Sequence, residues 1–391
     1  MTRTVLLQEI RKMRFDEAYE GWDSGRLTQG QAAELLGMCE RSFRRYLTRY
    51  KASGLDGLID HRLEQVSNRR APVDEVLALT TQYRARHVGW NVKHFHNGYQ
   101  RSGGLRGYTW VKMRLQEARL VPKAARRGAH RKRRERRPLA GMMIHQDGSR
   151  HEWAAGQMWD LIVTMDDATS EHYSMFFVAE EGTVSSMRGV YEVIAGHGLF
   201  NSFYSDRGSH YWHTPQAGGK VDKDNPTQFG RAMKQLGVDM IAAYSPEARG
   251  RSERAFGTHQ GRLPQELALA GITDMAQANR YLATVYMPAF NAEFAQPAME
   301  EGSAFIPWFG GSLEDILCEQ YDRVVGSDNC VQFEGLALQI PADRHRCHYV
   351  KVRVRVNRYP SGALAVFHGP RGLAYFTPQG LTITEEVQQV A

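Results

Sequence analysis

Long hydrophobic runs are missing from this chain of 391 residues. No stretch approaches the roughly 18 apolar residues that a bilayer span needs. With 42% hydrophobic and 24% charged residues, the composition is that of a soluble globular protein. A secretory leader is also lacking: the apolar stretch from Met1 to Ile10 is too short and runs into Arg11, Lys12 and Arg14. Cysteine is scarce. Cys39, Cys318, Cys330 and Cys347 are far apart with no Cys-x-x-Cys pair, which argues for reduced thiols in a cytoplasm and against a disulfide scaffold. His87, His94 and His96 are not followed by a cysteine pair, so they read as solvated or core histidines, and Arg344 to His348 reads the same way.

Acidic residues are sparse in one place only. From Met1 to Leu139 there are 30 Lys and Arg against 14 Asp and Glu, while the remainder has 20 against 29. A basic front end joined to an acid-rich body suits a polyanion-binding module attached to one that uses carboxylates. At roughly 150 residues per domain the length allows two to four domains. Thr28 caps a helix from Gln29 to Leu36, Gly37 makes a turn, and a second helix from Glu40 to Ala52 carries Phe43, Tyr46, Leu47 and Tyr50 on one side. Arg41, Arg44, Arg45 and Arg49 lie elsewhere on that helix. Residues 24–62 thus read as a DNA-binding helix-turn-helix, or as a helical hairpin with a solvated basic face.

Residues 69–122 repeat the theme, with a helix from Pro72 to about Arg86, a short one near Asn91 to His96 and a third from Tyr108 to Leu120. They suit a second helix-turn-helix or winged module, or equally a helical spacer. Residues 123–140 form a basic linker in which nine of the fifteen residues before Pro138 are Lys or Arg. Arg131, Lys132, Arg133 and Arg134 are its densest part and read as phosphate contacts.

From Met142 the pattern changes to strands at Met142 to Asp147, Trp159 to Asp166 and His172 to Val178, followed by a helix from Thr183 to Ala195. A strand from Asn201 to Ser205 leads into Asp206, a helix runs from Pro226 to Leu236, and a strand follows from Asp239 to Ala243. Ser245 and Pro246 then read as cap and first residue of a helix carrying Glu253, with Arg249, Arg251 and Arg254 around it as DNA contacts. This order implies a mixed sheet. If its first and fourth strands are neighbours, the strand-end acids Asp147 and Asp206 converge and Glu253 leans onto them. Three carboxylates tolerate such proximity when two divalent ions about 3.5–4 Å apart sit between them. Asp166 and Asp167 read as turn residues, Asp222 and Asp224 as loop residues, and Glu247 as a helix-start charge.

Ile144-His-Gln-Asp147-Gly-Ser, Tyr204-Ser-Asp206-Arg-Gly and Ser245-Pro-Glu-Ala-Arg-Gly-Arg-Ser-Glu253-Arg-Ala-Phe closely resemble the three motifs of the retroviral-integrase-like DDE transposases of bacterial insertion sequences, nearest to the ISNCY-type group. The resemblance implies a ribonuclease H-like core at residues 141–300. It also implies two Mg²⁺ (or Mn²⁺) ions on Asp147, Asp206 and Glu253, acting as catalytic and metal-binding residues. The partners implied are double-stranded DNA, both element ends and target, and further copies of the chain assembled on DNA, with no membrane. The activity implied is DNA cleavage and strand transfer in a bacterial cytoplasm. The 46 residues between Asp206 and Glu253 exceed the usual spacing, and the insertion from Tyr211 to Asn225 accounts for the excess.

The tail, residues 318–391, follows a linker and an expected short helix from Asp315 to Gln320. It is β-rich, with runs at Cys330 to Ile340, Val350 to Val356 and Ala363 to His368. Lys351, Arg353 and Arg355 share one face. This suits a small SH3-like barrel touching DNA, or an edge strand charged against aggregation. The whole chain is therefore expected to be multidomain, with all-α modules first, an α/β core and a small β-barrel last. Two other readings fit the same residues: a DNA-binding regulator with a silent ribonuclease H-like body, and a metal-dependent nuclease without strand transfer.

Overall fold

The computed structural model describes residues 3–60, 71–123, 135–216, 219–244, 250–342 and 346–383. The chain divides into two units, Met1–Ala78 and Leu79–Ala391. In the first, α1 (Arg3–Asp23) precedes the expected helix pair, α2 (Gln29–Leu35) and α3 (Glu40–Ser53). Thr28 and Gln31 cap α2 reciprocally: the Gln31 amide donates to Thr28 Oγ1 at 3.3 Å and the Thr28 amide to Gln31 Oε1 at 2.9 Å. Phe43 and Leu47 of α3 close against Phe15 and Ala18 of α1 and Ala32 and Ala33 of α2. Burying a side chain of the size of Phe43 contributes about 1.5–3 kcal/mol.

The second unit begins with helices that share a core of Leu79, Tyr83, Trp90, Phe95, Val111 and Leu115. They are α4 (Val73–Arg86), α5 (Val92–Arg101) and α6 (Tyr108–Glu117). His94 stacks on Trp90 and bonds Glu266 at 2.6 Å, and Asn91 Nδ2 donates to the Gly261 carbonyl at 3.0 Å. These are core histidine contacts, as the lack of a cysteine pair implied.

The α/β body holds a five-stranded sheet in the order β3-β2-β1-β4-β5. Its strands are β1 (Ile144–Ala154), β2 (Gln157–Asp166), β3 (His172–Val178), β4 (Ser202–Ser205) and β5 (Asp239–Ala242). The first three form an antiparallel meander, and β4 and β5 add in parallel. The first and fourth strands are therefore neighbours. One difference from the sequence reading is instructive: β1 does not stop at Asp147 but continues through Gly148 to Ala154. The glycine suggests a turn, yet pairing with β2, continuous from Ile144 to Glu152 and shifted in register before Ala154, carries the strand on to the hairpin at Gly156.

Helices cover both faces. α7 (Thr183–His197) and α8 (Gln228–Leu236) pack on one through Ile144, Val190, Phe203 and Phe229. On the other lie α9 (Gly250–Gln260), α10 (Leu263–Leu269), α11 (Met275–Tyr281), a π-helical turn at Leu282–Tyr286 and α12 (Met287–Phe294). Trp153, Leu161, Phe256 and Leu282 are among the side chains that close this face. α7 approaches the sheet so closely that a Cβ on Gly189 would meet Gln146 Nε2 at 2.2 Å.

The tail differs from the expected barrel. Residues Glu314–Ile316 make a turn rather than a helix, and β6 (Glu319–Val324) starts where that helix was expected to end. The run at Cys330 to Ile340 is a hairpin of β7 (Cys330–Phe333) and β8 (Leu336–Gln339). Glu334 and Gly335 turn it with φ of 50° and 82°. β9 (Arg353–Arg358), β10 (Leu364–His368), β11 (Arg371–Phe376) and β12 (Thr382–Ile383) complete an open sheet in the order β12-β11-β10-β9-β6. Hairpin and sheet share one core. Gln228 of α8 joins the tail to the body, donating to the Gln320 carbonyl at 2.8 Å and accepting from its amide at 2.9 Å. No helix among the described residues is long and apolar enough to cross a membrane.

A buried histidine pair ties α9 to β3 and to the π-helical turn before α12. His172 Nε2 lies 3.0 Å from His259 Nε2, and His259 Nδ1 lies 3.0 Å from the Tyr286 hydroxyl. Burial lowers His172 from 6.5 to about 4, and His259 well below its ordinary value. As pH falls from 6.5 to about 4, the unfolded chain takes up a proton at His172 that the folded chain refuses. Stability should therefore be full above 6.5 and decline through that window. Equilibrium denaturation across it checks this, and a flat stability profile would contradict it.

Candidate active site

The β1–β4 ladder decides where the acids stand. Ile144 faces Phe203 and His145 faces Tyr204. The same offset, continued past the end of β4, would bring Asp147 level with Asp206. Alternation gives both the same side of the sheet: Ile144 and Phe203 enter the core under α7 and α8, whereas His145, Asp147, Tyr204 and Asp206 alternate to the face of α9. Asp147 is 8% exposed and Asp206 half-buried just past the end of β4. The Gly148 amide donates to Asp147 Oδ1 at 3.1 Å, and the Gly208 amide to Asp206 Oδ1 at 2.8 Å.

α9 lies along that face. Near its start, the Arg251 guanidinium donates to Asp167, which also accepts from His145 Nε2 at 2.7 Å. At its end, Gln260 Nε2 donates to Ser149 Oγ at 3.0 Å. Glu253 lies between, on one helical stripe with Phe256 and Gln260, and is exposed. Of the arginines expected to contact phosphate, Arg254 is exposed, but Arg251 is turned inward with its side chain 16% exposed. Arg249, Glu247 and the cap Ser245 lie outside the described residues, as do Arg131, Lys132, Arg133 and Arg134. Arg41, Arg44, Arg45 and Arg49 are exposed on α3, and the first three line a groove with Thr48. Asp222 caps its own loop, accepting from the amides of Asp224 and Asn225.

Sequence reasoning missed the layer beneath the acids. The Tyr211 hydroxyl, on a side chain 2% exposed, donates to Gln146 Oε1 at 2.9 Å and accepts from Ser186 Oγ at 3.2 Å. Glu181 Oε1 lies 3.5 Å from that hydroxyl and 3.5 Å from His210 Nε2. Burial pushes the phenol well above its usual range, and the charge of Glu181 adds to this. The Ser186 hydrogen bond opposes the shift, while Asp147 and Asp206 raise it further. Both aspartates therefore act on one buried hydroxyl. A Cβ on Gly148 would meet Glu181 Oε2 at 2.1 Å, so the carboxylate rests directly on the strand. No motif announces Glu181 or Tyr211, and Gln146, although inside the motif of Ile144 to Ser149, meets them from a separate segment.

Among the described residues no group of three or more His, Cys, Asp and Glu side chains is close enough to hold a metal ion. The donor chemistry nonetheless fits a hard cation. The candidates are carboxylate oxygens, Asp147 on β1 and Asp206 just past the end of the neighbouring β4 among them.

A family model described as winged helix-turn helix matches residues 16–72. The protein y4bF of Sinorhizobium fredii, which carries a transposase's name, is 28% identical over 362 residues, covering 90% of this chain and 77% of that protein. The transposase for insertion sequence IS1202 of Streptococcus pneumoniae is 30% identical over 203 residues, 52% of this chain and 43% of that protein. Among solved structures, the intasome of simian T-cell lymphotropic virus in complex with a PP2A regulatory subunit aligns at 14% identity with a TM-score of 0.34, over 71% of this chain and 90% of that one. The HTLV-2 integrase catalytic core in complex with magnesium aligns at 13% and 0.29, over 37% and 85%. These structural likenesses are distant.

Tyr211→Phe would leave Gln146 Oε1 without its buried donor and should cost about 1–3 kcal/mol. A lower urea midpoint with unchanged slope is the expected sign, and an unchanged midpoint would show that the hydroxyl is not holding the layer together.

Proposed function

This chain is a relative of bacterial transposases, and from that premise we propose that it binds the terminal inverted repeats of an insertion sequence and cuts and rejoins DNA at Asp147, Asp206 and Glu253. The observation that carries the reading is the β1–β4 register. Continued past β4, it would bring the two aspartates side by side on the face along which α9 runs with Glu253. The matching helix-turn-helix model and the arginines exposed on α3 support DNA binding by the first unit. The expected setting is cytoplasmic, with several copies assembled on DNA, because two ends must be joined.

Asp147, Asp206 and Glu253 would hold two Mg²⁺ or Mn²⁺ ions. Bound there, such ions activate the attacking oxygen and offset charge on the leaving oxygen of a phosphodiester. The chain's own part is positional. On this reading the β1–β4 ladder would fix one pair of carboxylates, and α9 would present the third to them. Arg254, exposed one residue from Glu253, steadies a phosphate. Water first replaces the 3′ oxygen at phosphorus, releasing a 3′-hydroxyl and a 5′-phosphate. That hydroxyl then attacks a phosphodiester of the target, displacing its 3′ oxygen in turn. Neither step needs a covalent bond to the protein.

Asp147→Asn, Asp206→Asn and Glu253→Gln should each lower divalent-dependent cleavage of element-end duplex by at least about a hundredfold while sparing DNA affinity. Glu247→Gln should do little. Full strand transfer by Asp206→Asn would refute the site. Cleavage without joined products would favour a nuclease, and binding without cleavage a regulator. Separately, Arg44→Ala should flatten the dependence of log affinity on log salt by about one unit. An unchanged slope would remove α3 from the DNA contact.

A further inference from the structure

Asp167 was expected to be a turn residue, and its contacts exceed that role. The side chain is fully buried. Its Oδ1 accepts from His145 Nε2 at 2.7 Å and from Arg251 Nη1, and its Oδ2 accepts from the Arg137 amide at 2.8 Å. The Arg136 guanidinium closes over the same turn, donating to the carbonyl oxygens of Asp167 at 2.7 Å and Ala168 at 3.1 Å. One carboxylate thus gathers partners that lie 22, 30 and 84 positions from it in sequence.

The distances along the chain give this junction its meaning. His145 is two residues before Asp147 on the same face of β1, and Arg251 is two residues before Glu253 in the first turn of α9. We infer that Asp167 is a positioning residue of the proposed site, holding the segment of Asp147 and the segment of Glu253 to one point and so setting the separation of the two acids. The inference rests on the functional reading above. Asp167 touches neither substrate nor reacting atoms and acts through His145 and Arg251. An ion pair this buried is held by geometry, since either charge alone would be uncompensated. The Arg136–Arg137 contacts bring the end of the basic linker to the same carboxylate, so the chain leading from the linker is anchored where the two acids are set. Arg251, committed to Asp167, is on this account not a phosphate contact.

Full-length Arg251→Met and Arg251→Lys proteins test this. The probe is a duplex carrying the inverted repeat that flanks the chain's own gene. Duplex affinity is measured by fluorescence anisotropy without divalent metal, and single-turnover cleavage at saturating duplex with Mg²⁺. A displacement of Glu253 by the order of 1 Å predicts a rate about a hundredfold lower for Arg251→Met with unchanged affinity, and an intermediate rate for Arg251→Lys. Weaker duplex binding with a normal rate at saturation would make Arg251 a phosphate contact and overturn the inference, as would a normal rate with normal affinity. Arg251→Lys keeps a cation against Asp167, so it decides the matter if Arg251→Met fails to fold: a wild-type rate in the lysine variant overturns the clamp. Glu253→Gln, run alongside, separates the two levels. If it remains active the functional reading itself falls; if it is inactive while Arg251→Met is fully active, only the role of Asp167 does.

Discussion

Two rungs of parallel ladder, Ile144 with Phe203 and His145 with Tyr204, govern the centre of this molecule. A parallel pair cannot be joined by a tight turn and needs a long crossover, here the whole of β2, β3 and α7. The ladder in turn needs both its faces buried. Ile144 and Phe203 supply one side, packed with Val190 and Phe229. The other side cannot be wholly apolar where aspartates emerge, and polar contacts take over: His145 on Asp167, Arg251 on Asp167 and Gln260 on Ser149. A slip of one residue in the register would turn Asp147 away from Asp206 and expose the core side chains beside them.

Apolar and polar packing therefore divide the labour along α9. Phe256 anchors the helix in the core with Trp153 and Leu267, a non-directional contact that tolerates small sliding. The ion pair at one end and the amide–hydroxyl bond at the other are directional and fix the position along the axis. Beneath the strand, the Tyr211, Gln146 and Ser186 hydrogen bonds satisfy polar groups that the apolar core cannot.

Much of this was legible in the sequence because the signals were local or periodic. The helix pair around Gly37 and the order of strands and helices from Ile144 to Ala242 follow from period and turn chemistry, which leave the adjacency of the first and fourth strands open. The end of β1 was not legible. Gly148 looks like a stop, and only cross-strand pairing with Ile162 overrides it. The hairpin at Glu334 was hidden because a non-glycine residue takes positive φ there. The tail's open sheet was hidden because alternation gives faces but not closure. Glu181, Tyr211 and Asp167 carry contacts that no spacing encodes, since their partners lie 22 to 84 positions away.

The insertion after Asp206 ends the account on a different footing. Trp212 Nε1 bonds Ser205 Oγ at 3.0 Å, the His213 carbonyl accepts from the Asp222 amide at 2.8 Å, and Thr227 returns to the carbonyl oxygens of His210 and Tyr211. The extra chain leaves the body and comes back to nearly the same place. Its length is consequently invisible to the acids on either side. The interval between Asp206 and Glu253 can therefore lengthen or shorten at this loop without disturbing the two-rung ladder.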